Sequence, residues 1–180
     1  FHAEEVHAVL ARDAARVLVS VPAHLRAMRI MATDGLSRVG RVFSSGAPLP
    51  EETWTALFAR FGWRTTEVLG SSETGGIAWR DKPGDPFTAF EGVTVREGDG
   101  GRMLLDSPYL PPGVERPVVA SDRVAVVDAR TFRHLGRADG VLKVGSTRVS
   151  VAELEARLLA VPGVVDAAIL GVEVASARGH

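Results

Sequence analysis

"EVLGSSETGG" (residues 67–76) passes from an apolar run into a turn with almost no side-chain bulk, and sets one carboxylate, Glu73, among serine, threonine and glycine. Read locally, it has two alternatives: a solvated surface loop, or a cradle for a phosphorylated ligand. Small residues let a nucleotide approach the backbone, and Ser71, Ser72 and Thr74 carry hydroxyls that can donate to phosphate oxygens. A carboxylate beside phosphates is repulsive unless a hard cation lies between them, so on the second alternative Glu73 implies Mg²⁺. The run "TTEVLG" (65–70) that enters the turn reads as a strand. The C-terminal ends of strands are where open α/β sheets hold ligands.

A second turn of the same character, "SSGAP" (44–48), lies upstream, after the apolar strand that begins "RVF" at 41. Between the two turns the pattern is helical. Pro50 suits a first turn, Glu51 and Glu52 favour its positive end, and Trp54, Leu57, Phe58 and Phe61 are expected on the inner face until Gly62 stops the helix. Strand, turn, helix, strand predicts α/β layering. Further upstream, residues 4–17 predict an amphipathic helix with Val6, Leu10, Ala14 and Val17 in one stripe, "VLVSVP" (17–22) a short strand, and 23–34 a weak helix.

From about residue 77 the character changes. "GVTVRE", "RMLLDS", "RPVVAS" and "RVAVVD" are short runs separated by turn signals at Asp99-Gly100 and Pro111-Pro112-Gly113, which predict a small antiparallel sheet or barrel. "VLKVGSTRV" (141–149) suits a hairpin. Ser150 and Glu153 make a capping box ahead of a helix ended by Pro162-Gly163, and "VVDAAILGVE" (164–173) is expected to return as a strand. The expected organisation is an α/β part over 1–76, an antiparallel β part over 77–136, and a third part over 137–180, with "GRADG" (136–140) at the boundary.

With 180 residues, 46% apolar and 24% charged, the chain has the composition of a globular protein with a real core. Its formal net charge of −1 gives no general pull toward nucleic acid or anionic membrane, so an anionic ligand must be held locally. There is no cysteine, hence no disulfide, thiolate metal site or thiol nucleophile, in keeping with a cytoplasmic protein. No apolar stretch reaches the roughly 18 residues of a membrane span. There is no Walker-type or dinucleotide-binding glycine loop. "GSSET" misses the hydrolase elbow because Thr74 stands where the second glycine must be. His2, His7, His24, His134 and His180 show no convergent spacing and are read as non-ligands. "GRADGVLKVGSTRV" (136–149) concentrates Arg137, Asp139, Lys143 and Arg148 around glycines, which a solvated hairpin would also explain.

The order "SSGAPLP", "GSSETGG", Asp122, "GRADGVLKVGSTRVSVAELE" resembles the adenylate-forming superfamily of acyl-CoA synthetases, amino-acid adenylation domains and luciferases. Its Gly-x-Thr-Glu is matched by Gly70, Ser71, Ser72 and Glu73, with Ser72 replacing the threonine. Its Gly-Arg-x-Asp-x-x-Ile-Lys-x-x-Gly-x-Arg is matched by Gly136, Arg137, Asp139, Leu142, Lys143 and Arg148. "VFSSGAPLP" and "EVLGSSETGGIAWR" look closest to aryl-acid AMP-ligases of aryl-polyene and xanthomonadin-type pigment pathways.

The resemblance implies the later part of a large adenylating domain, α/β layers plus a small antiparallel β-barrel, followed by the start of a mobile, truncated α+β C-terminal domain. It implies attack of a carboxylic, aryl acid on the α-phosphate of ATP, giving an adenylate that passes to the thiol of an acyl carrier protein or of CoA. Glu73 would hold Mg²⁺, Ser72 would contact the α-phosphate, and Lys143 would face the site in the thioester state. Gly46, Ala47, Pro48, Leu69 and Gly70 would lie along ATP or AMP, Asp122 would take both ribose hydroxyls, and Arg137 would reach ribose or phosphate. Asp139 would be the hinge. Three positions depart from the pattern: Leu69 replaces an aromatic residue that stacks on adenine, Ser121 a common glycine, and Ser146 the usual glycine of the boundary motif, with Gly145 one place early. A coenzyme-A synthetase and a non-catalytic nucleotide-binding module are the alternative readings.

The chain opens on Phe1 directly into helical periodicity and is expected to be a piece of something longer. The family's phosphate loop and late lysine are expected outside it, so these 180 residues alone should not turn over ATP. Pyrophosphate release from the purified chain with a panel of aryl acids would contradict this.

Overall fold

The computed structural model describes residues 3–12, 17–30, 39–138, 141–144, 147–164 and 167–169. Its first part alternates helix and strand: α1 (Ala3–Arg12), β1 (Val17–Ser20), α2 (Pro22–Met28), β2 (Arg41–Ser45), α3 (Glu51–Phe61) and β3 (Arg64–Ser71). β1, β2 and β3 lie side by side and parallel, with Ser44 opposite Glu67 and Ser45 opposite Val68. Parallel neighbours need a crossover, and α2 and α3 supply it. α3 starts behind Pro50, carries Glu51 and Glu52 in its first turn, and closes on Gly62, whose φ of 70° and N–H to Phe58 carbonyl form a left-handed cap.

The chain then reverses. β4 (Gly75–Arg80) returns antiparallel along β3, and β5 (Phe87–Ala89), β6 (Thr94–Glu97), β7 (Arg102–Asp106), β8 (Val118–Val126) and β9 (Thr131–Arg137) continue in antiparallel pairings. The result is one nine-stranded sheet in the order β1-β2-β3-β4-β5-β9-β8-β7-β6. The predicted α/β layers and antiparallel strands are thus joined edge to edge through β3 and β4. β10 (Val141–Val144) and β11 (Thr147–Ser150) form the expected hairpin, and α4 (Val151–Leu159) follows it.

Two apolar clusters match the two halves. Leu10, Leu25, Met28, Val42, Leu57 and Trp63 bury the inner sides of α1, α2 and α3 against the parallel strands. Ile77, Phe87, Met103, Leu105, Val124 and Phe132 fill the antiparallel half. Phe58 departs from expectation: Trp54, Leu57 and Phe61 are buried, but Phe58 is 61% exposed. It stands one position from Leu57, about 100° round the helix, so both cannot face the sheet. Val17, expected both at the end of the helix stripe and at the head of the strand 17–22, lies on edge strand β1 and is exposed. The helix expected over 4–17 is seen as Ala3–Arg12, and Ala14 lies outside the described residues. The strand expected over 164–173 is not formed at its described residues, 164 and 167–169. There Ile169 N–H donates to Glu155 Oε1 of α4 at 3.0 Å. No helix among the described residues is long and apolar enough to cross a membrane.

Candidate functional site

The two small-residue turns sit at the C-terminal ends of the adjacent parallel strands β2 and β3, and face one cleft of about 780 Å³. Gly46, Ala47 and Pro48 line it from the first turn; Leu69, Gly70, Ser71, Glu73 and Thr74 from the second; and Asp122, His134, Gly136 and Arg137 from β8 and β9. α4 closes one side with Val151 and Glu155. Residues from five separate stretches of sequence therefore converge.

The turn after β3 is held by its own hydroxyls. Ser71 Oγ accepts the N–H groups of Glu73 and Thr74, each at 3.2 Å, and Thr74 Oγ1 accepts the N–H of Ser71 at 3.2 Å. Thr74 is buried. Two of the three hydroxyls expected to serve a phosphate thus serve the turn, and the third, on Ser72, is exposed at its tip and is not among the residues that line the cleft. Glu73 is also exposed. Its carboxyl is held below the usual carboxylate range, first by the Ser71 hydroxyl, then by its own backbone N–H, with a smaller pull from the Arg137 guanidinium. It is an anion at neutral pH.

Gly70 is required by space. A Cβ there would lie 2.5 Å from the Gly75 carbonyl oxygen, where β3 and β4 slip register between Leu69 and Gly70. Gly70→Ala is expected to destabilise the protein by about 1–3 kcal/mol, because the obstacle is backbone and cannot rotate away. Urea unfolding with a change under half a kcal/mol would contradict the close approach.

A buried ion pair forms part of the cleft wall. Glu67, 3% exposed, takes Arg80 Nε and Nη2 on Oε2 at 2.7 Å each, and its Oε1 accepts the Leu49 N–H at 3.0 Å. The Arg80 guanidinium lies over the Phe87 ring, 4.6 Å from its centroid. One carboxylate therefore ties the chain just after Gly46-Ala47-Pro48 to β3 and β4. Sequence reading missed Glu67 and Arg80. The available signal was an acid inside a buried strand, which must have a partner. His134, read as a non-ligand for metal, makes a hydrogen bond that sequence reading missed: its Nε2–H donates to Asp122 Oδ1 at 2.7 Å.

Lys143 lies on β10 opposite Arg148 of β11; the described structure includes their backbone, not their side chains. Asp139, Gly145 and Ser146 lie outside the described residues, as do His2 and His180. Among the described residues no three His, Asp or Glu side chains gather to hold a metal. Glu73 alone does not make a cage. A single ionised, exposed carboxylate does fit Mg²⁺ held chiefly by nucleotide phosphates and water, since that ion commonly takes one or two protein carboxylates.

In sequence the chain is similar to acid–thiol ligases, and its fold is shared with a ligase of that kind. In particular, it is 36% identical over 124 residues to a 4-coumarate–CoA ligase of Rhodobacter capsulatus, a match taking in 69% of this chain and 30% of that enzyme. It is 31% identical over 110 residues to an L-proline–[L-prolyl-carrier protein] ligase of Pseudomonas fluorescens, taking in 58% of this chain and 21% of the other. A crystal structure of an anthranilate–CoA ligase with anthranoyl-AMP shares the fold at TM-score 0.73 and 22% identity, over 95% of this chain and 39% of the other. No family model matches the chain. The chain spans less than a third of the length of either curated relative.

Proposed function

We propose that this chain is the nucleotide-binding part of an ATP-dependent ligase that activates an aryl acid as its adenylate and passes it to a thiol. The observation that carries the reading is the convergence of Gly46-Ala47-Pro48, the Glu73 turn, Asp122 and Arg137 on one cleft at strand ends. A nucleotide along that cleft has small residues against its base and an acceptor for its ribose hydroxyls in Asp122, and the exposed Ser72 hydroxyl next to Glu73 would serve phosphates that reach past the cleft rim. Arg137 adds positive charge on the same side.

Glu73 would hold Mg²⁺, which supplies charge neutralisation at the phosphates when bound. The chain's own contribution is positioning. Ser71 and Thr74 fix the turn so that Glu73 faces the cleft without rearrangement, with Ser72 exposed beside it, and Glu67 fixes the loop opposite. Leu69 offers the base an apolar face in place of an aromatic one. Lys143 and the Asp139 hinge belong to the second, thiol-directed half of the reaction.

An aryl acid is favoured because relatives and fold neighbours include enzymes named for coumarate and anthranilate. For the acceptor, the likeness of "VFSSGAPLP" and "EVLGSSETGGIAWR" to pigment-pathway ligases favours an acyl carrier protein, and the prolyl-carrier ligase supplies a relative that uses one. CoA is the second reading, because a coumarate–CoA ligase is also a relative. The test gives the whole protein ATP, a panel of aryl acids, and either holo-carrier protein or CoA. Aryl-dependent ATP–pyrophosphate exchange with carrier loading is expected. Exchange with no aryl acid of the panel would overturn the function, and efficient aryl-CoA formation without carrier loading would overturn the acceptor.

A further inference from the structure

We infer that His134 is a positioning residue for ribose recognition, acting through the Asp122 carboxylate. The inference rests on the nucleotide reading above and extends it to a residue outside the recognised motifs. Its basis is an irregularity in the sheet. Asp122 of β8 pairs with Arg137 of β9, yet Val124 pairs with His134, so Leu135 and Gly136 together stand opposite Arg123 alone. Gly136 carries the extra residue's turn at φ 86°, a conformation that side chains resist. On a regular strand His134 and Arg137, three apart, would face opposite sides. The bulge turns both to the side of Asp122, and all three line the cleft.

The His134 ring is itself held. It meets the Phe87 ring edge-on, at 6.5 Å between centroids, and Phe87 stacks on Phe132 at 6.1 Å. From this fixed position Nε2–H donates to Oδ1 of Asp122 at 2.7 Å. A carboxylate on a strand can otherwise swing about its terminal torsion, which is broad. The bond removes that freedom and leaves Oδ2, with the second lone pair of Oδ1, to accept from vicinal ribose hydroxyls. Rotational freedom is then lost on folding rather than on binding.

The test compares ATP, 2′-deoxy-ATP and 3′-deoxy-ATP as substrates for pyrophosphate exchange in the whole protein, with His134→Ala, His134→Gln and Asp122→Ala. His134→Ala is expected to raise KM for ATP about tenfold with little change in kcat, the size of losing one charge-assisted hydrogen bond. For the deoxy nucleotides the variant-to-parent ratio should fall toward one, because the contact being positioned is gone. Glutamine, whose amide nitrogen reaches about as far as Nε2, should restore most of the discrimination. An equal penalty with all three nucleotides, or no rescue by glutamine, would overturn the inference and leave His134 a packing residue. If Asp122→Ala also leaves ribose discrimination unchanged, the nucleotide reading falls with it. If Asp122→Ala abolishes discrimination and His134→Ala does not, the inference on His134 falls alone.

Discussion

Glu73→Ala in the whole protein is expected to lower acid-dependent ATP–pyrophosphate exchange by about two to three orders of magnitude, the usual cost of removing a preorganised group that manages charge at the reacting centre. The carboxyl is fully exposed and depressed by the Ser71 hydroxyl, so it is ionised at neutral pH with no neutralising burial around it. Its partners are the neighbouring Ser71 hydroxyl and its own backbone on an exposed turn, with no buried contact, hence its removal should leave unfolding by urea close to the parent. That separation makes the result readable: activity lost and stability kept means a functional carboxylate. Glu73→Asp shortens the reach by one methylene and is expected to recover part of the rate at raised Mg²⁺. Exchange near the parent level in Glu73→Ala would return the turn to the other alternative, a solvated surface loop.

The sequence was most informative where one physical requirement acts on neighbouring residues. The α3 helix was legible because Pro50, the acidic first turn and Gly62 bracket a periodic apolar run, and each signal concerns residues within one turn. The two turns were legible as turns because runs of small residues follow apolar strands there, at the ends of β2 and β3. The inner face of α3 was read one residue too wide at Phe58, since a 3.6-residue period leaves the edge of an apolar stripe undecided.

The interactions the sequence could not show are those made across strands. Glu67 and Arg80 are opposite each other only because β3 and β4 pair in that register, and the register slips at Leu69/Gly70. His134 meets Asp122 only because β9 carries a bulge at Leu135 and Gly136. A periodicity of two cannot reveal a bulge, because the bulge is the place where the periodicity fails. The glycine of "GRADG" was visible, but its φ of 86° and its consequence for the two side chains beside it were not. Likewise the hydroxyls of Ser71 and Thr74 looked free for a ligand. In the fold they are spent on the turn's own N–H groups.

The largest stability effect is expected at Glu67. Glu67→Leu removes the acceptor of three hydrogen bonds at once: two from Arg80 and one from the buried Leu49 N–H. Breaking a buried pair by removing one partner costs about 3–5 kcal/mol, because the other charge is left uncompensated. The Arg80 side chain retains 19% exposure and lies at the end of β4, so its head can turn partly to water, which lowers that part of the cost. The stranded Leu49 N–H adds about 1–3 kcal/mol. A net loss of about 3 kcal/mol by urea unfolding is expected. Adding Arg80→Met should recover a good part of it, since replacing both members of a buried pair by apolar groups is far milder than removing one. The Leu49 N–H would still lack its acceptor, so the double variant should remain less stable than the parent. It should also bind ATP more weakly, because the loop of Gly46, Ala47 and Pro48 has lost its tie to β3. Glu67→Gln keeps an oxygen for Leu49 and should fall between the parent and the leucine variant. A loss below about 1 kcal/mol in Glu67→Leu, with ATP affinity unchanged, would mean that packing around Leu49 and Phe87 holds the loop by itself and that the ion pair is incidental.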